Sequence, residues 1–394
     1  MRSSPLDAMS TLAPPFSDEH EELRQSVRGF IERELTPHAQ QWEQDEWFPD
    51  EVFAKMAAQG LLGLKYPTEY GGQGGDYLHE SVLCEELARV GSGGTAAGIG
   101  AHTNIATPPI WKFGTEQQKQ RYLVPSITGE LIGALGITEP GAGSDVAALS
   151  TRAERVDGGW LVNGEKTYIT NGVRAHFIVT AVKTTKQGGH HGISFLIVDR
   201  GEGVESSALH KLGWHASDTA TIAFRDVFVP DENLLGDLNE GFKLIMANFQ
   251  WERLAMALGA VGAMQIAWER TAEFARERQA FGRPLSSHQT IRHKLADMAT
   301  SLYTCRCVTY DALRRFVAGE EPLKEVAMAK LLTQRASFEL MDECLQIHGG
   351  AGYMRGDGAA SAWVERAARD ARLGPIGGGS DEIMREILGR VLAL

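Results

Sequence analysis

The sequence predicts a mostly helical α+β chain built in three parts, helical, then β, then helical. Three observations carry this. Apolar residues recur at three- and four-residue spacing from Phe16 to about Gly129. Between Leu131 and about Gly236 that period gives way to β-rich runs such as Phe177–Val182 and Ile193–Val198. From Gly241 the helical period returns. The expected units are a tail over residues 1–15, an N-terminal helical domain over 16–130, a central β domain over 131–240 and a C-terminal helical domain over 241–394.

Each element has a local reason. Ser17 followed by Asp18, Glu19, Glu21 and Glu22 opens a helix with a capping residue and acids in its first turn. Leu23, Val27, Phe30 and Ile31 continue it. Pro49 and Asp50 restart the chain, and Val52, Met56 and Leu61 carry the period on. Tyr66–Gly72 is a loop by composition, and a helix is expected from about His79 to Val90. Gly91–Thr95 is expected to break that helix. The Ala- and Gly-rich stretch behind it suits close helix packing or close approach of a ligand. Asp157-Gly158 has hairpin-turn chemistry, and Thr219–Val229 is a strand stopped by Pro230. Ile291, Leu295, Met298 and Leu302 mark one late helix. Leu331, Phe338, Met341 and Leu345 mark another, ended by Gly349 and Gly350. Gly377–Gly379 precede a last short helix through Ile383 and Ile387.

A chain of 394 residues, 43% of them hydrophobic, has ample material for a large core. Its net charge of -12 argues against a nucleic-acid binder. Cys84, Cys305, Cys307 and Cys344 show no metal-ligand spacing with histidine and read as reduced thiols. No metal site is expected. No apolar run is long enough for a membrane span, and the first fifteen residues lack a signal-peptide core. The expected compartment is a bacterial cytoplasm, in preference to a mitochondrial matrix.

The chemistry points first to Gln250-Trp251-Glu252-Arg253. Phe242, Ile245, Phe249, Met256 and Gly259 keep one helix face, and Glu252 falls in the middle of that stripe. Burial disfavours an ionised carboxylate, so its pKa is expected to rise. A raised pKa suits a general base, and pairing with a basic group on another helix gives the same pattern. In the loop Thr138–Asp145, glycines and hydroxyls suit an anion or a flat ring, and equally a β-turn. Tyr168 and Thr170 share one side of a strand, which suits a planar cofactor or a half-buried sheet face. Arg278 beside Phe281 suits a phosphate and a ring.

These stretches together resemble the acyl-CoA dehydrogenase family. The segments are T-E-P-G-A-G-S-D at 138–145, Y-I-T-N-G at 168–172, K-L-G at 211–213, F-R-D-V-F-V-P at 224–230, R-Q-A-F-G at 278–282, L-A-D-M at 295–298, Q-I-H-G-G-A-G-Y at 346–353 and R-D-A-R at 369–372. They stand in the family's order and span most of the chain. The resemblance implies an N-terminal helical domain, a β-barrel-like middle domain and a C-terminal four-helix bundle, in a homotetramer. It implies FAD and the α,β-dehydrogenation of an acyl-CoA thioester, with electrons passing to an electron-transferring flavoprotein. Carried over by position, Thr138, Gly143, Ser144, Tyr168, Thr170, Arg278, Phe281, Gln289, Gln346, Gly350, Ser380 and Glu382 would hold FAD, some across a subunit interface. Ser144 and Arg253 would hold the CoA moiety, and the N–H of Gly378 would polarise the thioester.

One departure is informative. Most members carry the base as the glutamate of a Y-E-G-T loop, and here that loop reads Ile376-Gly377-Gly378-Gly379-Ser380. Gly378 stands where the glutamate would be. Long-chain and isovaleryl members place the base on the helix in an E-R pair, and this chain has Glu252-Arg253 there. The resemblance therefore implies that Glu252 is the base. Gly377 in place of the usual aromatic implies a more mobile loop or a wider pocket. The segment 354–363 is longer than the family's usual turn. Two other chemistries fit the same fold: an oxygen-using flavin oxidase or monooxygenase, and a dehydrogenase of acyl groups carried on a protein.

Overall fold

The computed structural model describes residues 14–185, 189–356 and 361–394. Most of the expected tail, residues 1–13, lies outside these, as do residues 357–360 of the long 354–363 segment. The chain is an α+β fold dominated by helix, with the β elements between two helical regions.

The first region holds α1 (Asp18–Glu34), α2 (Ala39–Asp45), α3 (Glu51–Ala58), α4 (Tyr77–Glu86), α5 (Gly93–Gly100), α6 (Thr107–Phe113), α7 (Glu116–Gln118) and α8 (Val124–Ile127). Ser17 caps α1, and the acids Asp18, Glu19 and Glu21 face its positive end. The ring of His20 replaces the usual third-position glutamate, accepting the Ser17 N–H at 3.1 Å. Asp76 caps α4 through the N–H groups of Leu78 and His79 at 2.8 and 3.2 Å. His20, Asp76 and His79 lie close enough together to offer ligand atoms to a metal, a grouping hidden in sequence because His20 is remote from the other two. All three serve these helix caps.

The break expected over Gly91–Thr95 is shorter than that. Gly91 takes a left-handed φ of 76°, and α5 starts only two residues later. The small residues behind it serve packing. A Cβ on Gly98 would lie 2.6 Å from the Phe48 ring, and one on Gly94 would lie 2.7 Å from the Ser217 nitrogen. After α5 the chain widens into a π-type turn over Ala101–Ala106, a geometry that reorients side chains within a helical run.

The sheet runs β1 (Gly133–Gly136), β2 (Arg152–Val156), β3 (Gly159–Thr170), β4 (Phe177–Lys183), β5 (Ile193–Asp199), β6 (Val204–Ala208), β7 (Thr219–Pro230) and β8 (Leu234–Leu235). Its order is β6-β7-β3-β2-β4-β5-β8, with β1 parallel to β4. The β2–β3 hairpin turns at Gly158, whose φ is 73°. β4 and β5 are buried throughout but for their last residues, which explains their mostly apolar character, interrupted only by Thr180 and Ser194 before those last residues.

The last region holds α9 (Gly241–Glu277), α10 (Gln289–Val317), α11 (Leu323–His348), α12 (Gly350–Tyr353), α13 (Ala362–Ala371) and α14 (Asp381–Val391). The loop expected around Arg278 is a small hairpin of β9 (Gln279–Ala280) and β10 (Arg283–Pro284). α9 packs so closely on α4 that a Cβ on Gly262 would lie 2.2 Å from the Glu85 carbonyl oxygen.

Two buried charged joints tie the regions together. The Arg174 side chain is fully buried; its Nε donates to Asp218 at 2.6 Å and its Nη1 to Asp50 and the Phe48 carbonyl, both at 2.9 Å. The guanidinium also lies over the Trp47 ring. Asp370 on α13 accepts the Gly93 N–H at 2.9 Å and the Trp214 N–H at 2.6 Å. Asp218→Ala would strand the buried Arg174 charge, and we expect a loss of about 3–5 kcal/mol in unfolding free energy. Urea denaturation of the FAD-loaded protein checks this, and a loss below about 1 kcal/mol would show that Asp50 and the rings suffice.

Candidate active site

α9 buries two different faces to different depths. Leu244, Asn248, Trp251, Leu254 and Leu258 are buried against the rest of the protein. Phe242, Phe249, Glu252, Met256 and Gly259 are only partly covered. Most of the stripe read from sequence, with Glu252 at its centre, is therefore the less covered face, although Ile245 of that stripe is fully buried. The deep face fixes the helix: Trp251 Nε1 donates to Asn104 Oδ1 at 2.9 Å, from the π-type turn. The Tyr77 ring packs on the same indole.

Glu252 is half-covered as a residue, yet its Oε2 is out of solvent contact and has no hydrogen-bond partner. Burial pushes its carboxyl up to about 7, against the opposing pull of the Arg253 and Lys330 charges. The alternative of a salt-bridged structural carboxylate does not describe it, since no ion pair to Glu252 occurs among the described residues.

Facing it is the loop from Gly374 to Ser380. A Cβ placed on Gly378 would lie 3.7 Å from Glu252 Oε1 and 2.4 Å from Met256 Sδ. Gly378 and Gly379 take φ of 62° and 90°, a region that suits glycine. Arg253 Nε donates to the Gly378 carbonyl at 3.1 Å. Lys330 Nζ donates to the Gly374 carbonyl at 2.9 Å and to the Gly379 carbonyl at 2.6 Å. The loop is thus held by two cations, Arg253 and Lys330. Among the described residues, no backbone carbonyl accepts from the Gly378 N–H. Ser380 caps α14 through the Ile383 N–H, and Glu382 follows in its exposed first turn.

The other predicted residues fall in three groups. Thr138, Gly143 and Ser144 lie on a turn closed by mutual hydrogen bonds of Glu139 and Ala142. That turn is locked to β3, because the Thr167 N–H donates to the Thr138 carbonyl at 2.9 Å and buried Lys166 reaches Glu139 at 2.8 Å. Burial would raise the Glu139 carboxyl, but the Lys166 ammonium and the Ser150 and Thr151 donors hold it well below the usual carboxylate range. β3 is bulged between Lys166 and Ile169, and Tyr168 sits in the bulge at a φ of 59°. Tyr168 is 70% exposed and Thr170 half-buried, while Thr167 and Ile169 between and beside them are buried. The second group is Arg278, Phe281 and Gln289 around the β9–β10 hairpin, where Phe281 is 97% exposed at a φ of 52°. The third is Gln346 and Gly350 at the end of α11, both exposed. No hydrogen bond or ion pair among the described residues joins these groups to one another.

These groups suit a large, flat, phosphate-bearing cofactor. A Cβ on Gly141 or Gly143 would meet nothing within 4 Å, so the turn's backbone is open to a ligand. Two aromatic rings, Tyr168 and Phe281, stand uncovered.

Comparison with known proteins then decides the family. Family models described as the acyl-CoA dehydrogenase N-terminal, middle and C-terminal domains match residues 17–130, 134–227 and 239–393. The chain belongs to the acyl-CoA dehydrogenase family. It is an oxidoreductase, and FAD is its cofactor. It is 37% identical over 381 residues to a mitochondrial isovaleryl-CoA dehydrogenase of Solanum tuberosum, covering 96% of this chain and 91% of that one. It is 37% identical to a mitochondrial long-chain specific acyl-CoA dehydrogenase of Mus musculus, covering 95% and 86%. The crystal structure of an acyl-CoA dehydrogenase from Geobacillus kaustophilus superposes with a TM-score of 0.92 at 40% identity, covering 96% of this chain and 99% of that one. No helix among the described residues is long and apolar enough to cross a membrane.

Sequence reasoning did not single out Lys166, Glu139 or Lys330. Lys330 had a readable signal. The buried line of α11 runs through Val326, Lys330, Thr333, Ser337, Leu340 and Cys344, beside the stripe chosen from Leu331 and Phe338. A lysine in that line is as conspicuous as Glu252 in its own.

The raised Glu252 pKa has a signed consequence. Its folded value lies above the ordinary 4.5, so between about pH 4.5 and 7 the native state keeps a proton that the unfolded chain has released. The stability tied to this group is full below that window and lost as pH rises through it. Glu252→Gln removes the loss, so its stability relative to the parent is expected to rise by about 2–3 kcal/mol between pH 5 and 8. Denaturation of both FAD-loaded proteins across that range tests this, and a constant difference would mean that Glu252 is not desolvated.

Proposed function

We propose that the chain dehydrogenates an acyl-CoA thioester between Cα and Cβ, with Glu252 as the base. The observation that carries this reading is the Glu252 carboxylate, its Oε2 buried and unpartnered, near a loop glycine whose N–H has no backbone partner among the described residues. A structural carboxylate would be satisfied by donors. One left unsatisfied in an apolar setting is a stronger base.

The roles follow from position and chemistry. The Gly378 N–H donates to the thioester carbonyl and stabilises the negative charge that develops there. That acidifies the α-proton, which Glu252 takes. FAD, when bound, supplies the acceptor for the hydride leaving Cβ. The proton rests on Glu252, two electrons leave with the hydride, and the product is the trans-2-enoyl thioester. Ser144 and Arg253 hold the CoA moiety. Arg253 does so with its Nη groups, its Nε being engaged with Gly378.

Thr138, Gly143, Ser144, Tyr168 and Thr170 form one part of the FAD site, with Ser380 and Glu382 at the head of α14. Arg278, Phe281, Gln289, Gln346 and Gly350 form a part that one chain presents outward, and we assign them to FAD held by a neighbouring copy in a homotetramer. The exposure of Phe281 supports this assignment, since an apolar ring at a hairpin tip wants a cover. An electron-transferring flavoprotein receives the electrons, and the cytoplasm of a bacterium is the proposed compartment. Glu252 as a helix-borne base supports a likeness to isovaleryl and long-chain enzymes, without choosing between their substrates.

Anaerobic titration with butyryl-, isovaleryl-, octanoyl- and palmitoyl-CoA, following flavin absorbance, tests the reaction and finds the chain length. Glu252→Gln is expected to keep FAD and bind the acyl-CoA while losing flavin reduction. Near-normal bleaching by that variant would remove Glu252 as the base. Rapid oxygen uptake with acyl-CoA would favour the oxidase chemistry, and bleaching only by a protein-carried acyl group would move the substrate.

A further inference from the structure

Lys330 is a buried lysine with no carboxylate at ion-pair distance among the described residues. An ammonium has three donors, and two of them grip carbonyls at either end of the Gly374–Ser380 loop. Gly378 lies between those two anchor points, and Arg253 holds its carbonyl from the other side. Three charged hydrogen bonds therefore fix six residues of otherwise glycine-rich backbone. Gly377, Gly378 and Gly379 have no side chains with which to fix themselves.

We propose that Lys330 is a positioning residue for the dehydrogenation: its ammonium clamps the loop so that Gly378 stays opposite Glu252, and its charge steadies the ionised form of that base. The proposal rests on the reading of Glu252 as the base. Four charged groups face this ammonium from the packed helices, Glu252 and Arg253 of α9 and Asp381 and Glu382 of α14. Asp381 is itself held by Arg335 at 2.6 Å, so its charge is shared. Burial lowers the Lys330 ammonium to about 8, while Asp381 and Glu252 oppose that and Arg253 adds to it. The ammonium is thus charged where Glu252 works and loses its proton as the solution turns alkaline. Its positive charge opposes the rise of the Glu252 pKa, so removing it lets that value climb further.

The test uses the FAD-loaded full chain and its Lys330→Met variant, which keeps volume and removes charge and donors. Three readouts are taken. Flavin reduction by the best acyl-CoA of the panel is expected to slow about 100-fold, the scale of a misplaced reacting group. The acidic limb of its pH profile is expected to move up by about one unit. Amide exchange, measured without substrate, is expected to quicken over residues 374–380 and to stay unchanged in β4 and β5. Lys330→Gln, neutral but still a donor, should recover slow loop exchange while keeping the shifted limb, and it takes the place of Lys330→Met if that variant does not accumulate. A variant with parental reduction rate and an unmoved limb overturns the proposal. So does a rate loss in which exchange quickens throughout the protein, which marks general destabilisation. Glu252→Gln run in parallel separates the two ideas. If it still reduces flavin, the base assignment falls. If it does not, and Lys330→Met behaves as the parent, only the role of Lys330 falls.

Discussion

Desolvation of one carboxylate is the constraint on which the site depends. Glu252 Oε2 touches neither water nor a donor, a state that a folded protein ordinarily avoids. It persists because α9 cannot turn to relieve it. Trp251, the adjacent residue, is buried and bonded to Asn104, and the helix presses on α4 without room for a single added carbon. Rotating Glu252 into water would drag Trp251 out of its seat. The energetic cost at one oxygen is thus offset by packing on the opposite side of the same helix.

The loop opposite is made from the least constrained residue type, yet it is not left loose. Gly378 needs its left-handed backbone and cannot carry a side chain without striking Met256. Cations from α9 and α11 supply the order that side chains would otherwise give. Backbone carbonyls that would need water are satisfied inside the protein, while among the described residues the Gly378 N–H has no backbone partner. The loop's carbonyls at Gly374, Gly378 and Gly379 are used for anchoring.

The helical, β, helical order was legible because the helical period of the two outer regions breaks off in the middle one and the β4 and β5 runs are buried on both faces. Glu252 was legible as a charge inside a stripe, although most of that stripe is the less covered face and does not mark the deepest contact. The packing role of the Gly93–Gly98 stretch was not legible, because small residues look the same whether they admit a ligand or a neighbouring ring. Lys166 and Glu139 were hidden for another reason: they sit far apart in sequence, and the docking of the turn after β1 onto β3 brings them together. Lys330 was in plain view but one residue away from the stripe that was followed. Choosing between neighbouring helix faces takes knowledge of what packs against them, which periodicity alone does not contain.

Arg174 and Asp370 bear on how such a chain can be rearranged. Its three regions are tidy in sequence, and cuts near residues 130 and 240 would fall between secondary-structure elements. In space, each cut removes hydrogen-bond partners from a buried polar side chain. The sheet would keep Arg174 without the Phe48 carbonyl and Asp50, and the C-terminal helices would keep Asp370 without the amides of Gly93 and Trp214. Transplanting one region from a relative therefore carries a matching requirement at both joints. Chimeras that respect the sequence boundaries but ignore these few atoms would inherit unsatisfied buried polar groups at the seam, which couples the three regions as units of exchange.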